Sequence, residues 1–164
     1  MVLRIIPYQR SWLPRLLSLF SRAVHVLPAQ HYSQREKNAW ASKELDTQRW
    51  EKKLQTVRPY LALADSELLG FMSMDEDGYI DLMYVDPNFQ RKGVGRALFD
   101  YLSRAAYKRS IPSMSTYASK AARPFFEQMG FEVIQENQVE LRGEILTNFY
   151  MRKNLRHQPE PMIS

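Results

Sequence analysis

Cysteine does not occur among the 164 residues of this chain. Its absence excludes disulfides, thiolate metal ligands and a covalent acyl-enzyme built on sulfur. Histidine is almost as scarce, with His25, His31 and His157 alone, so neither a histidine-rich zinc site nor any catalytic metal is expected. No uninterrupted apolar run approaches the ~18 residues of a membrane span. The opening MVLRIIPYQRSWLPRL lacks the basic head, continuous apolar core and small-residue cleavage site of a secretory leader, so a cytoplasmic protein is the simplest expectation. Internal repeats and low-complexity linkers are missing too. What is there, 45% hydrophobic residues over this length, fits one domain with a substantial core. That domain is expected over residues 1–154. Residues 155–164, with two prolines and no apolar pattern, read as a frayed tail.

The balance of 23 Lys and Arg against 18 Asp and Glu leaves a net charge of +5, which suits an anionic partner as well as solubility. Basic residues are scattered over both halves rather than gathered into a run interleaved with aromatics, so nucleic acid is not the expected partner.

Period and punctuation place the elements. A short strand at 3–7 precedes a helix with Leu13, Leu16, Leu17, Phe20 and Val24 on one stripe, with Ser11 as its expected cap. Two shorter helices follow, capped by Ser33 and Asp46. Strands are expected at 60–64 and 68–74, joined through Asp65, Ser66 and Glu67, and a third antiparallel strand at 79–85 reads YIDLMYV. A long amphipathic helix from Val94, a strand at 114–117 parallel to its neighbour, a helix at 121–129 and a hairpin over 132–154 complete a mixed α/β pattern.

Glycine is sparse as well, six in all, yet Gly93 and Gly95 fall in one turn, QRKGVG, between an apolar strand and the clearest helix. The first amides of a helix lack intrahelical partners and point at one place, where the helix dipole favours an anion. Both glycines would clear space for a phosphate, and Arg91, Lys92 and Arg96 add charge. Glycines that merely permit a tight turn are the plainer alternative. The nucleotide P-loop spacing and the dinucleotide fingerprint both fail here.

Gln90, Gly93 and Gly95 match Q/R-x-x-G-x-G/A, the turn signature of the GNAT N-acetyltransferase superfamily, which this region resembles. VDPNFQ, from Val85, is similar to the approach to that turn. SKAARPFFEQMGF, from Ser119, resembles the family's N-x-x-A-x-x-F-Y-x-x-x-G-F at Ala122, Phe125, Gly130 and Phe131. The resemblance covers residues 60–154. It implies an α/β (α+β) fold: a mixed, mostly antiparallel sheet flanked by helices and splayed between its fourth and fifth strands. It implies acetyl-CoA as acyl donor, its pyrophosphate on the amides of Arg91, Lys92, Gly93, Val94, Gly95 and Arg96. Its pantetheine arm would lie along Met83, Tyr84 and Val85, with Ser119, Ala122 and Phe126 also facing the cofactor. Ser119 replaces the family's asparagine. Phe126 replaces the tyrosine credited with protonating the departing thiolate.

Without cysteine, direct attack by an amine in a ternary complex is expected. By the resemblance, the amide of Val85 stabilises the developing oxyanion. Asp81, the one ionisable group in its apolar strand, is a candidate base if burial disfavours its charge; an ion-paired or exposed carboxylate is the alternative. Tyr84 and Tyr117 are candidate acids, each also suited to packing on a sheet. His31, Tyr32, Trp40 and Trp50 are placed to line an acceptor pocket, and the tryptophans also suit closing the flap on the sheet. Two further readings stay open: a coenzyme A-binding module with impaired chemistry, and a basic nucleic-acid-binding domain. A homodimer is compatible with the chain.

Overall fold

The computed structural model describes residues 1–155. Its strands are β1 (Arg4–Pro7), β2 (Tyr60–Ala64), β3 (Glu67–Met72), β4 (Tyr79–Ile80), β5 (Met83–Val85), β6 (Ser113–Ser119), β7 (Glu132–Leu141) and β8 (Glu144–Asn154). Its α-helices are α1 (Leu13–His25), α2 (Gln34–Trp40), α3 (Thr47–Val57), α4 (Val94–Lys108) and α5 (Arg123–Gln128). No described helix is long and apolar enough to cross a membrane.

Helix α1 buries Leu13, Leu16, Leu17, Phe20 and Val24, the stripe its sequence spells out. Ser11 is not its cap. A 3-10 turn at Arg10–Trp12 feeds directly into the helix, the amide of Leu13 bonding to the Arg10 carbonyl, and Pro14 falls in the first turn where its missing N–H costs nothing. Ser33 and Glu36 form a reciprocal capping box on α2, and Asp46 accepts from the Arg49 amide at 3.1 Å to cap α3. Helix α5 is shorter than the expected 121–129.

The strands form two four-stranded halves, β1-β2-β3-β5 and β4-β6-β8-β7. Every pairing is antiparallel except that of β4 with β6. The expected single strand at 79–85 is therefore two strands, interrupted at Asp81 and Leu82, each given to a different half. Two buried hydroxyls hold the interruption. Ser73 Oγ accepts from the Leu82 amide at 3.0 Å while the Ser73 amide bonds to the Leu82 carbonyl at 2.9 Å. Thr116 Oγ1 donates to the Ile80 carbonyl at 2.8 Å. In this way the Leu82 amide and carbonyl and the Ile80 carbonyl keep partners where the ladder parts. Beyond it β5 and β6 diverge.

One core lies between α1, α3 and a face of β2 and β3, with Leu16, Leu19, Leu54, Leu61 and Phe71 fully buried. The other lies under α4 and α5, with Leu98, Leu102, Met114, Phe126 and Met151. Each such side chain contributes about 1.5–3 kcal/mol relative to exposure. Leu155 belongs to this second core: it is buried, and its amide bonds to the Pro112 carbonyl at 2.9 Å. The expected tail thus began one residue early, and its remainder, 156–164, lies outside the described residues.

Candidate active-site cleft

The parting of β5 from β6 leaves one edge of β5 without a neighbouring strand. The Asp86 amide donates to the Leu69 carbonyl at 2.8 Å and the Leu82 carbonyl accepts from Ser73, so the even-numbered residues face β3. Antiparallel pairing alternates, which turns the N–H groups of Met83 and Val85 into the opening. Gln90 Nε2 donates to the Val85 carbonyl at 3.3 Å, folding the turn back onto the strand end.

The turn itself depends on Gly93, whose φ of 83° lies in the left-handed region and which stands at the N-cap of α4. The Ala97 amide closes the first helical bond to the Gly93 carbonyl at 3.0 Å, so the amides of Val94, Gly95 and Arg96 have no intrahelical acceptor. A methyl on Gly93 would meet nothing within 4 Å, and this open approach fits a phosphate. Gly95 serves a different purpose from the one expected. A Cβ there would stand 2.9 Å from Cε1 of Phe125, so its missing side chain makes room for the α5 ring rather than for an anion.

A cleft of about 780 Å³ runs from this turn through the opening. It gathers Met83, Tyr84, Val85, Gln90, Arg91, Gly93, Val94, Gly95 and Arg96 on one side, with Tyr117, Ser119, Ala122 and Phe126 on the other. Lys92 is exposed and lies off the lining. Among the described residues Asp81 is the one acidic side chain on the cleft wall, whereas Arg91 and Arg96 stand at the turn.

Asp81 is not the buried group its strand suggested. It sits where β4 and β5 separate, exposed, with its carboxylate 3.4 Å from Lys53 Nζ. Tyr84 is enclosed by Phe20, Phe71 and Trp40, and its hydroxyl accepts from Trp40 Nε1 at 3.0 Å. Burial, opposed by the Trp40 bond and reinforced by the charge of Asp81, pushes its phenol up to about 12. Tyr117 is half exposed, in a row of rings with Tyr79 and Tyr150. Phe126 is almost wholly buried, packed against Phe125 and Phe131.

The expected acceptor pocket divides. Tyr32 and Trp40 line the cleft with their rings 5.5 Å apart; Trp50 packs on Phe20 in the first core, and His31 is exposed. Sequence reasoning missed the wall formed by Val139, Leu141, Leu146, Thr147 and Asn148, because apolar residues in a hairpin signal strand and not the surface they face. It also missed the pair of Arg22 with the buried Asp86, 2.9 Å apart, which ties α1 to the end of β5.

Residues 28–155 match the family model described as an acetyltransferase (GNAT) domain. YafP of Escherichia coli strain K12, an uncharacterised N-acetyltransferase, is 37% identical over 150 residues, which cover 92% of this chain and 95% of that protein. A GCN5-related N-acetyltransferase of Rhodopseudomonas palustris superposes with a TM-score of 0.87 at 30% identity, over 94% of this chain and 99% of the other. The PaiA N-acetyltransferase of Thermoplasma acidophilum, solved with coenzyme A, shares the fold at a TM-score of 0.72 and 19% identity, over 94% and 99% of the two chains.

Proposed function

The chain belongs to the GNAT family of acetyltransferases, and from that premise we propose that it transfers an acetyl group from acetyl-CoA to an amine by direct attack within one ternary complex. The observation that carries this reading is the pairing of two unfilled main-chain features along one cleft: the edge of β5 at Val85 and the first amides of α4 behind the left-handed Gly93.

On this reading the amides of Val94, Gly95 and Arg96 hold the pyrophosphate, and Arg91, Arg96 and the more peripheral Lys92 add attraction. Met83, Tyr84 and Val85 flank the pantetheine arm, with Ser119, Ala122 and Phe126 opposite. Bound acetyl-CoA supplies a thioester whose acyl carbon is the electrophile. The Val85 N–H donates to the thioester oxygen and stabilises the charge that develops there on attack. The amine enters between Tyr84, Trp40 and Tyr117. Asp81, on the cleft wall beside Lys53, draws in its ammonium form, and the proton that must leave before nitrogen can attack passes by way of this side of the cleft to solvent. With no cysteine in the chain, acyl transfer needs no covalent enzyme intermediate.

A thermal shift with coenzyme A tests the cradle, since a ligand at about 100 times its dissociation constant adds ~2.7 kcal/mol of stability. A panel of amines scored by product mass then identifies the acceptor. With that amine, Asp81→Asn lowers turnover while the coenzyme A shift stays the same. Absence of any shift, or a trapped acetyl-enzyme in a quenched single turnover, overturns the scheme.

A further inference from the structure

We propose that Tyr32 is the proton donor to the sulfur that departs from the acyl carbon, a proposal that rests on the acetyl-transfer reading above. When the C–S bond breaks, sulfur takes the electron pair and needs a proton. The amine nitrogen has one proton to lose. Phe126, on the cleft wall at the start of α5, has none to give.

Tyr32 comes from the opposite layer, in the segment between α1 and α2, and is only 3% exposed. Its ring stacks near Trp40, and its hydroxyl crosses the opening to the segment that joins β6 to α5. There Oη accepts from the Ala121 amide at 3.2 Å, with Ser119 and Lys120 close by as polar groups that favour the phenolate. Ser119 Oγ accepts from the Ala122 amide at 3.1 Å. The Ala121 amide can only donate, so its bond uses a lone pair of the phenol oxygen and not the phenolic hydrogen. The phenolic proton is thus left for a partner inside the cleft. Once it is given up, the phenolate keeps the same polar neighbours, the arrangement that favours a charged oxygen. Burial, the largest influence on this phenol, raises it above its ordinary value, so the proton is present at neutral pH.

The other cleft tyrosines lack this arrangement. Tyr84 is enclosed by the rings of Phe20, Phe71 and Trp40, with its Oη held by the Trp40 indole. Tyr117 stands half exposed in its row of rings. The balanced step has Tyr32 pass Oη–H to sulfur as the C–S bond opens, releasing coenzyme A as the thiol. The second proton, released by the nitrogen once it is bonded to the acyl carbon, returns through solvent to the phenolate and restores the phenol.

A binding cycle tests the contact without knowledge of the acceptor. Calorimetric titrations of coenzyme A and desulfo-coenzyme A are run against the wild type, Tyr32→Phe and, as a control on α4 outside the cleft, Tyr101→Phe. A hydrogen bond between Tyr32 and sulfur gives the wild type a preference for coenzyme A of about fivefold, lost in Tyr32→Phe and kept in Tyr101→Phe. With an amine in hand, Tyr32→Phe also lowers kcat and leaves KM for acetyl-CoA nearly unchanged. Should that variant fail to fold, 3-fluorotyrosine at position 32 keeps ring and hydroxyl, and its more acidic phenol strengthens the preference. Failure of the wild type to bind coenzyme A at all overturns the transfer reading. Binding with equal affinity for the two ligands, or a preference unchanged in Tyr32→Phe, overturns the role of Tyr32 alone.

Discussion

Replacing Tyr84 by Phe should reverse the stability order of the two proteins between neutral and strongly alkaline pH. At neutral pH the change removes the acceptor of Trp40 Nε1 and leaves a half-buried N–H unpaired, at the low end of the about 1–3 kcal/mol such a loss costs. The rings of Phe20, Phe71 and Trp40 keep their contacts with the substituted ring. The alkaline limb has the opposite sign. Burial raises the Tyr84 phenol from 10.0 to about 12, so the folded protein retains a proton that the unfolded chain releases in this window. That contribution is fully present below pH 10 and is lost as pH rises to about 12. At ~1.4 kcal/mol for each tenfold change in proton affinity, the wild type loses about 2–3 kcal/mol here that Tyr84→Phe does not. The wild type is therefore more stable by roughly 1 kcal/mol below this window and less stable by a similar amount at its top. Urea unfolding of both proteins at a series of pH values measures the difference, and the other titrating groups, including the partly exposed Tyr79, cancel in it. A difference that stays flat across the window refutes the reasoning.

Three further predictions concern stability. Gly95→Ala brings Cβ to 2.9 Å from Phe125, an overpacking of about 1 kcal/mol that disappears when Phe125→Ala is made in the same chain. Gly93→Ala costs about 1–2 kcal/mol through its left-handed φ whichever residue stands at 125; urea-denaturation cycles distinguish the two, and equal coupling to Phe125 would count against the assignment. Leu155→Ala should destabilise by about 2–4 kcal/mol because the residue is buried in the second core, and a change within error would place it outside the cooperative unit.

Much of this architecture was legible because its signals are local. The stripe of α1, the caps at Ser33 and Asp46, and the β7–β8 hairpin each occupy a few consecutive residues whose spacing or side-chain reach suffices. Ser11 misled because a polar residue ahead of an apolar stripe reads as a cap, whereas a 3-10 turn meets the first amides instead. Asp81 left two readings open, a buried base or an ion-paired or exposed carboxylate, and the structure shows the second. A carboxylate in an apolar strand reads as buried only if the strand is continuous, and this one parts at that residue, where the side chain reaches solvent and Lys53.

The sequence by itself determined the glycine turn ahead of α4, since a strand, a left-handed glycine and an amphipathic helix follow one another within a stretch too short to need distant partners. Only the tertiary structure decided what faces the rest of the cleft. The interruption at Asp81 and Leu82 arises because β3 and β6, far apart in sequence, each claim half of one apolar run. Tyr32 reaches Ala121 across 89 positions of chain because α1 and α2 pack on one side of the divided sheet while α5 starts on the other. Such contacts depend on the closure of long loops by burial elsewhere, and no local pattern records them.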